Sequence, residues 1–409
     1  MIRVLQIAVL ILLFGLALFS FLTKNSDKAE MQNIGFVSSF AVDMVDTNFR
    51  VTLEVINPIR LKANTTSQQP ATLTYSAIGR TLGDAANQLF LKIPLTIKLN
   101  TLQMILIQEE VVKQNSVIQI ADYFVRNHDV SQSPPIVIVK DSQAADLLGV
   151  FLPFNDITAM SIFFNIDKIR SKISDFQYYA DDILYLNHLP GKDILLPVVK
   201  LVGNQKMGEN PQNISILKPP VDVQTDGLAI FRKGKLVDYM SEAERELFAY
   251  FYEINSFTSL TVPNDMEPAK DAKVFSIKIS ENDSKMYVAQ WKSLDRPSIQ
   301  VEIEMSGFID SYHGVDNLEQ LNQQDLEKLV EASVRNNLLN LYEKEKRLNA
   351  DFLGLGATLY RLSPEKYEQF VRKFSEPMEQ IDFDVMVKME IHFTGDLKGM
   401  KQVGVTNDR

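Results

Sequence analysis

The chain has 409 residues, 45% hydrophobic and 23% charged, enough for two or three domains with cores of ordinary composition. Beyond the first 23 residues, which hold only Arg3, 41 basic side chains face 52 acidic ones; this surplus of acid argues against nucleic acid as a partner, because phosphate binding needs a basic face. The absence of cysteine excludes disulfides, thiolate metal sites, thiol catalysis and lipidation through an N-terminal Cys.

Val4–Thr23 is an uncharged run of Leu, Ile, Val, Phe and Ala, interrupted by Gln6. At about 1.5 Å per helical residue, roughly twenty residues cross a hydrocarbon core. The alternative is a cleaved signal peptide, whose apolar core is usually about 7–15 residues long and ends in a small-x-small site. Here the run is longer, and Leu18, Phe19, Phe21 and Leu22 suit a cleavage site poorly, so an uncleaved anchor (residues 1–24) is expected. Arg3 before it and Lys24 and Lys28 after it leave the positive-inside signal nearly balanced. Export of the large remainder is expected on size.

From Ile34 the pattern is strand-like, and Phe49, Val51, Leu53 and Val55 alternate with Arg50, Thr52 and Glu54 as in a half-buried strand. Thr81 with Asp84 predicts an N-cap opening a helix to about Phe90. Met104–Ile107 and Ile136–Val139 predict buried strands, and Val117–Val125 and Gln143–Leu148 predict helices. Alternating strands and helices give an α+β domain over 25–205, closed by the Gly-, Asn- and Pro-rich stretch from Gly203 to Pro220.

A middle hairpin-helix domain is expected over 206–265. Leu228–Phe231 and Lys235–Val237 flank a turn at Arg232-Lys233-Gly234, and Ser241 with Glu244 forms a capping box for a helix to about Ile254. A C-terminal α+β domain over 266–409 follows the Pro263–Pro268 linker, with strands at 274–279, 286–290 and 301–305. A helix over 322–349 carries an apolar stripe through Leu326, Leu329, Val330, Val334, Leu338, Leu341, Tyr342 and Leu348, opposite a charged face. Ser363-Pro364 opens another helix, and alternating Phe383–Phe393 predicts a long final strand. The fold class is thus α+β, an N-terminal transmembrane helix before a mixed, three-domain ectodomain.

No catalytic constellation emerges. His128, His188, His313 and His392 have no His or Cys three or four residues away, and no phosphate loop or GxSxG elbow is present. Asp181-Asp182 reads as a solvated turn or cap. Asp43, Asp46 and Glu54 lack the spacing of a calcium loop, and Trp291 reads as core or interface. No catalytic, cofactor or metal residue is assigned, and the chain is expected not to be an enzyme. Arg232, Lys233 and Lys235 form a small basic tip on an acidic protein, suited to an acidic partner loop or lipid headgroups, against the plainer alternative of a solvated turn.

Several segments together resemble the Ger(x)C family, the C subunits of spore germinant receptors. They are Ile34–Phe36 with Phe40–Asp43, Tyr75–Thr81 with Asp84–Ala86, Asp122–Asn127, Ile136–Lys140 with Ala144–Leu148, Asp226–Val237, and Ala350–Gly356 ahead of the Pro-led helix and final strand. Each is weak alone; their order and spacing carry the resemblance. It departs from the family at the missing lipobox Cys, for which the apolar helix would substitute, and at Asp238, where the family commonly has Gly. The resemblance implies a non-enzymatic subunit on the outer face of the spore inner membrane. Its partners would be a membrane-embedded A subunit and a transporter-like B subunit, and its role receptor assembly and germination signalling. The competing class is an anchored solute-binding component of a transporter. That class would continue β-α-β alternation through both halves, whereas the second half here reads as hairpins and one long helix.

Overall fold

The computed structural model describes residues 33–57, 70–170, 173, 176–252, 258–264, 273–313 and 323–392. The expected anchor Val4–Thr23 lies outside these residues, as does most of the Pro263–Pro268 linker. Among the described residues, no helix is long and apolar enough to cross a membrane. The chain forms two compact units, each assembled from separated segments.

The first unit gathers residues up to Val111 with 123–161 and 201–223. Its sheet contains β1 (Ile34–Val45), β2 (Asn48–Ile56), β3 (Thr72–Gly79), the short β4 (Thr96–Lys98), β5 (Met104–Gln108) and β6 (Ile136–Lys140). The order is β3-β2-β1-β5-β6, with β4 against the start of β1; β1, β5 and β6 run parallel. Strands buried on both faces read as continuous apolar runs, as Met104–Ile107 and Ile136–Val139 do. Thr81 caps the helix Leu82–Lys92 by accepting from Asp84 N at 3.1 Å, while Asp84 accepts from Arg80 N at 2.9 Å. Gly79 allows that helix onto β3, since a Cβ there would sit 2.3 Å from Ala85 N.

The half-buried strand expected from Phe49 to Val55 is instead buried on both faces from Val51 to Val55. The cause is Glu54, whose carboxylate accepts from Ser38 and Ser39 Oγ at 2.7 and 2.9 Å and from Thr158 N at 2.9 Å. It thereby caps the helix Thr158–Arg170, which the sequence reading did not contain. Asp43 does the same for Ala144–Leu148, accepting from Ala144 N at 2.6 Å and Ala145 N at 3.1 Å, with Arg50 3.1 Å away. These two acids are helix caps within the sheet.

The second unit comprises 112–122, 162–200 and the remainder from Gln224. It contains most of β7 (Leu195–Gly203) and of β8 (Val221–Arg232), which forms a hairpin with β9 (Lys235–Met240), and a four-stranded sheet. That sheet runs β10 (Thr258–Asn264), β11 (Lys273–Gln290), β12 (Ser298–His313), β13 (Asp382–His392). The separate strands expected at 274–279 and 286–290 are one bulged strand, β11. β12 and β13 are parallel, so a crossover must join them. It contains the helix Gln323–Leu348, whose Leu326, Val330, Val334, Leu338 and Leu341 are buried.

The charged side of this helix covers the free edge of β13. Glu331 accepts from Met389 N and Glu327 from Ile391 N, both at 3.0 Å, and Arg335 donates to Val385 O at 3.0 Å. An open strand edge invites unwanted pairing, and these side chains occupy it. The helix expected to reach Ile254 is assigned only over Glu242–Ala249, opened by Ser241 accepting from Glu244 N at 3.2 Å. Trp291 is buried edge-on to Phe370.

Candidate functional site

Lys233 and Gly234, the two residues between β8 and β9, both have positive φ, +50° and +79°. Two successive left-handed residues mark the type I′ turn that matches strand twist, and Gly takes the second place without strain. Gly234 also packs against the segment before Val117: its carbonyl accepts from Val117 N at 2.8 Å, and a Cβ would meet Ser116 Oγ at 2.4 Å. The Asp193 carboxylate accepts from Lys233 N at 3.2 Å, which fixes the tip from the other side.

Of the three basic residues, Lys233 and Lys235 are exposed and Arg232 is half-buried. Arg232 and Lys233 line a cleft of about 670 Å³ that also contacts Lys192, Asp193, Asp351 and Tyr367; Lys235 does not reach it. Asp238, at the position where Gly was expected, lies 3.9 Å from Lys344 and 3.8 Å from Arg347 on the long helix. Lys344 also reaches Glu244 at 2.9 Å and Tyr239 O at 2.6 Å, pinning β9 to that helix.

Beneath the tip lies a carboxylate network. Asp351 is 5% exposed and accepts from Gly354 N and Leu355 N at 2.8 Å and from Gly356 N at 2.7 Å. It caps the helix Leu355–Leu362, whose preceding Gly354 has φ +82°. Asp351 N donates to Asp193 Oδ2 at 2.9 Å, and Asp193 N donates back to Asp351 O at 2.7 Å. Asp193 therefore links the hairpin tip to the 351–356 turn. Gly191 lets the chain before it press onto that turn: its φ is +74°, and a Cβ would lie 2.2 Å from Gly356 C.

Glu345, fully buried near the end of the long helix, accepts from Leu353 N at 3.1 Å through one oxygen. Its other oxygen has no hydrogen-bond partner among the described residues, while the two side chains are close enough for Glu345 and Asp351 to influence each other's ionisation. Burial, reinforced by the Asp351 charge, holds the Glu345 carboxyl well above its ordinary range. Burial likewise pushes Asp351 up to about 7, against the Gly356 N–H and the Glu345 hydrogen bond. Asp193 is raised by desolvation, opposed by the Asp351 and Lys233 N–H groups and by the charges of Arg232 and Lys233. Burial and the neighbouring negative charge thus both favour the protonated carboxyl in this pair.

The other weighed residues have plain structural roles. Asp182 accepts from Tyr179 N at 3.1 Å and caps the helix Ala180–His188. His188 Nδ1 is 2.7 Å from Leu184 O, and exposed His392 lies 3.8 Å from Glu390. Among the described residues, no group of three His, Cys, Asp or Glu is arranged to hold a metal ion. Sequence reasoning missed Asp193, Glu345 and Asp351 as a unit. One signal was present: Glu345 interrupts the buried stripe at Leu338, Leu341, Tyr342 and Leu348 at helical steps.

Residues 27–201 match the family profile described as "Spore germination protein N-terminal domain", and residues 226–395 the one described as "Spore germination B3/ GerAC like, C-terminal". Spore germination protein KC of Bacillus subtilis (strain 168) is 23% identical over 380 residues, which cover 90% of this chain and 91% of that protein. The crystal structure of the GerBC protein shares the fold, with a TM-score of 0.50 at 15% identity over 86% of this chain and 96% of that one. Hairpin and 350–356 turn both lie inside the second matched region, and the chain belongs to the Ger(x)C family, the C subunits of spore germinant receptors.

Proposed function

We propose that this protein is a non-enzymatic subunit that supports assembly of a germinant receptor, and its signalling, at the spore inner membrane. Its partners are the receptor's A and B membrane subunits. Its folded part lies on the outer face, retained by the apolar run Val4–Thr23 in place of a lipid. The observation that carries this role is the hairpin tip. Its backbone is locked by the type I′ turn, by Asp193 and by the Gly234–Val117 bond, while the Lys233 and Lys235 ammonium groups are exposed. Rigid backbone under exposed charge suits recognition, because little ordering entropy is lost on binding. The acids beside it are held by backbone N–H groups, an arrangement that builds structure.

The test is the triple reversal R232E/K233E/K235E. Stability should change by about 0.5 kcal/mol for an exposed substitution, with a larger share expected from half-buried Arg232. Co-purification with the A and B subunits should weaken, and nutrient-triggered germination should slow while receptor-independent germination stays normal. A variant that assembles and germinates like the parent would remove the tip as an interface. Anchoring is tested separately by labelling with a radioactive fatty acid. The protein should stay unlabelled in the membrane fraction with its N-terminus intact; a soluble mature form beginning near residue 24 would contradict a helical anchor.

A further inference from the structure

The cleft beside the hairpin tip has a charge pattern opposite to that of the chain as a whole. Lys192, Arg232, Lys233, Arg372 and Lys373 line it, against only Asp193 and Asp351. Both acids are turned toward backbone N–H groups, so their charge is partly spent inside the protein. Arg372 and Lys373 close the helix Pro364–Lys373, and their ion pairs, to Glu368 and Asp295, are between exposed groups. Such pairs contribute little to stability and exchange readily for another carboxylate. Between the cations, Val371 is 39% exposed and gives the cleft an apolar contact.

From these features we infer that the cleft is a docking site for a carboxylate-rich segment of a membrane partner, with an apolar side chain of that segment set against Val371. This rests on the assembly role proposed above and extends it from the tip to a groove. Charge complementarity selects the occupant. Arg232 and Arg372 carry planar guanidinium forks, which take carboxylates bidentately, and the net negative charge of the chain disfavours acidic segments elsewhere. Small-molecule pockets hold only a few polar groups among apolar and aromatic side chains, whereas seven of the residues lining this cleft are charged, five of them cations.

The probe is a fluorescent five-residue peptide with a leucine flanked by paired glutamates, measured by anisotropy against the full chain in neutral detergent. It should bind, its affinity should fall steeply with added salt, and the peptide with glutamines in place of glutamates should not bind. R372E/K373E, which changes only exposed ends of exposed pairs, should weaken binding at least tenfold with the unfolding midpoint unchanged. Equal affinity in parent and variant overturns the inference. So does displacement by free glutamate at the peptide's own concentration, which would make the cleft a site for small carboxylates. If R372E/K373E leaves peptide binding intact while R232E/K233E/K235E still loses its receptor partners, the cleft inference falls and the assembly role stands. If the tip reversal assembles normally, the tip is not an interface and partner docking in the cleft falls with it even where the peptide binds, because Arg232 and Lys233 line the cleft.

Discussion

Glu345→Gln would test whether the buried pair beneath the hairpin carries a proton. Glu345 already accepts from Leu353 N at 3.1 Å, its remaining oxygen has no hydrogen-bond partner among the described residues, and its carboxyl interacts with Asp351. An amide reproduces both contacts, its oxygen for Leu353 and its NH₂ for Asp351, and it cannot titrate. Burial raises both carboxyls above their ordinary range in the folded chain, Asp351 to about 7 and Glu345 by desolvation reinforced by the Asp351 charge. Between the ordinary and the raised ranges the folded state binds more protons than the unfolded one, so stability is greatest at low pH and falls as pH rises toward 7.

The slope is about 1.4 kcal/mol per pH unit for each excess proton. The Gln variant removes the Glu345 share of this slope and leaves that of Asp351. It should lie within about 1 kcal/mol of the parent at low pH, where the carboxyl is already neutral, and gain on the parent as pH rises toward neutrality. Urea unfolding at stepped pH, followed by the fluorescence of Trp291, the sole tryptophan, reads the second unit directly. Parallel stability curves for parent and variant would refute the retained proton.

Asp351→Ala should cost about 3–5 kcal/mol, since it strands the N–H groups of Gly354, Leu355 and Gly356; hydrogen exchange should show Leu355–Leu362 losing protection first. Gly191→Ala should destabilise by more than about 2 kcal/mol through its positive φ and the clash with Gly356, seen as a lowered urea midpoint. Asp43→Asn should cost about 1–3 kcal/mol by weakening the cap of Ala144–Leu148 and leaving Arg50 without its ion partner, measured by thermal unfolding. Glu327→Ala with Glu331→Ala should speed amide exchange at Met389 and Ile391 more than elsewhere in β13, because those two amides lose their acceptors.

Much of the local structure follows from the sequence because its causes are local. Thr81 with Asp84 and Ser241 with Glu244 bond within one turn, so their caps can be read from three-residue spacing. The stripe from Leu326 to Leu348 and the runs at 104–107 and 136–139 declare which face is buried, since burial of apolar area drives their packing. Lys233-Gly234 marks the hairpin because the turn itself demands positive φ.

Tertiary structure alone decided what the isolated acids do. Asp43 caps a helix about a hundred residues away, Glu54 caps another at Thr158, and Asp193 bonds both Lys233 N and Asp351 N. A carboxylate carries no sign in the sequence of which distant N–H groups will meet it, and an exposed Glu looks the same as a buried one. Glu345 therefore passed as part of a charged helix face until the fold placed it against Asp351, where low-dielectric surroundings oppose two neighbouring negative charges and favour a retained proton. The cleft is the same kind of result: Arg232 and Lys233 could be read as a basic tip, but only the fold brings Arg372 and Lys373, 140 positions further on, to the same groove.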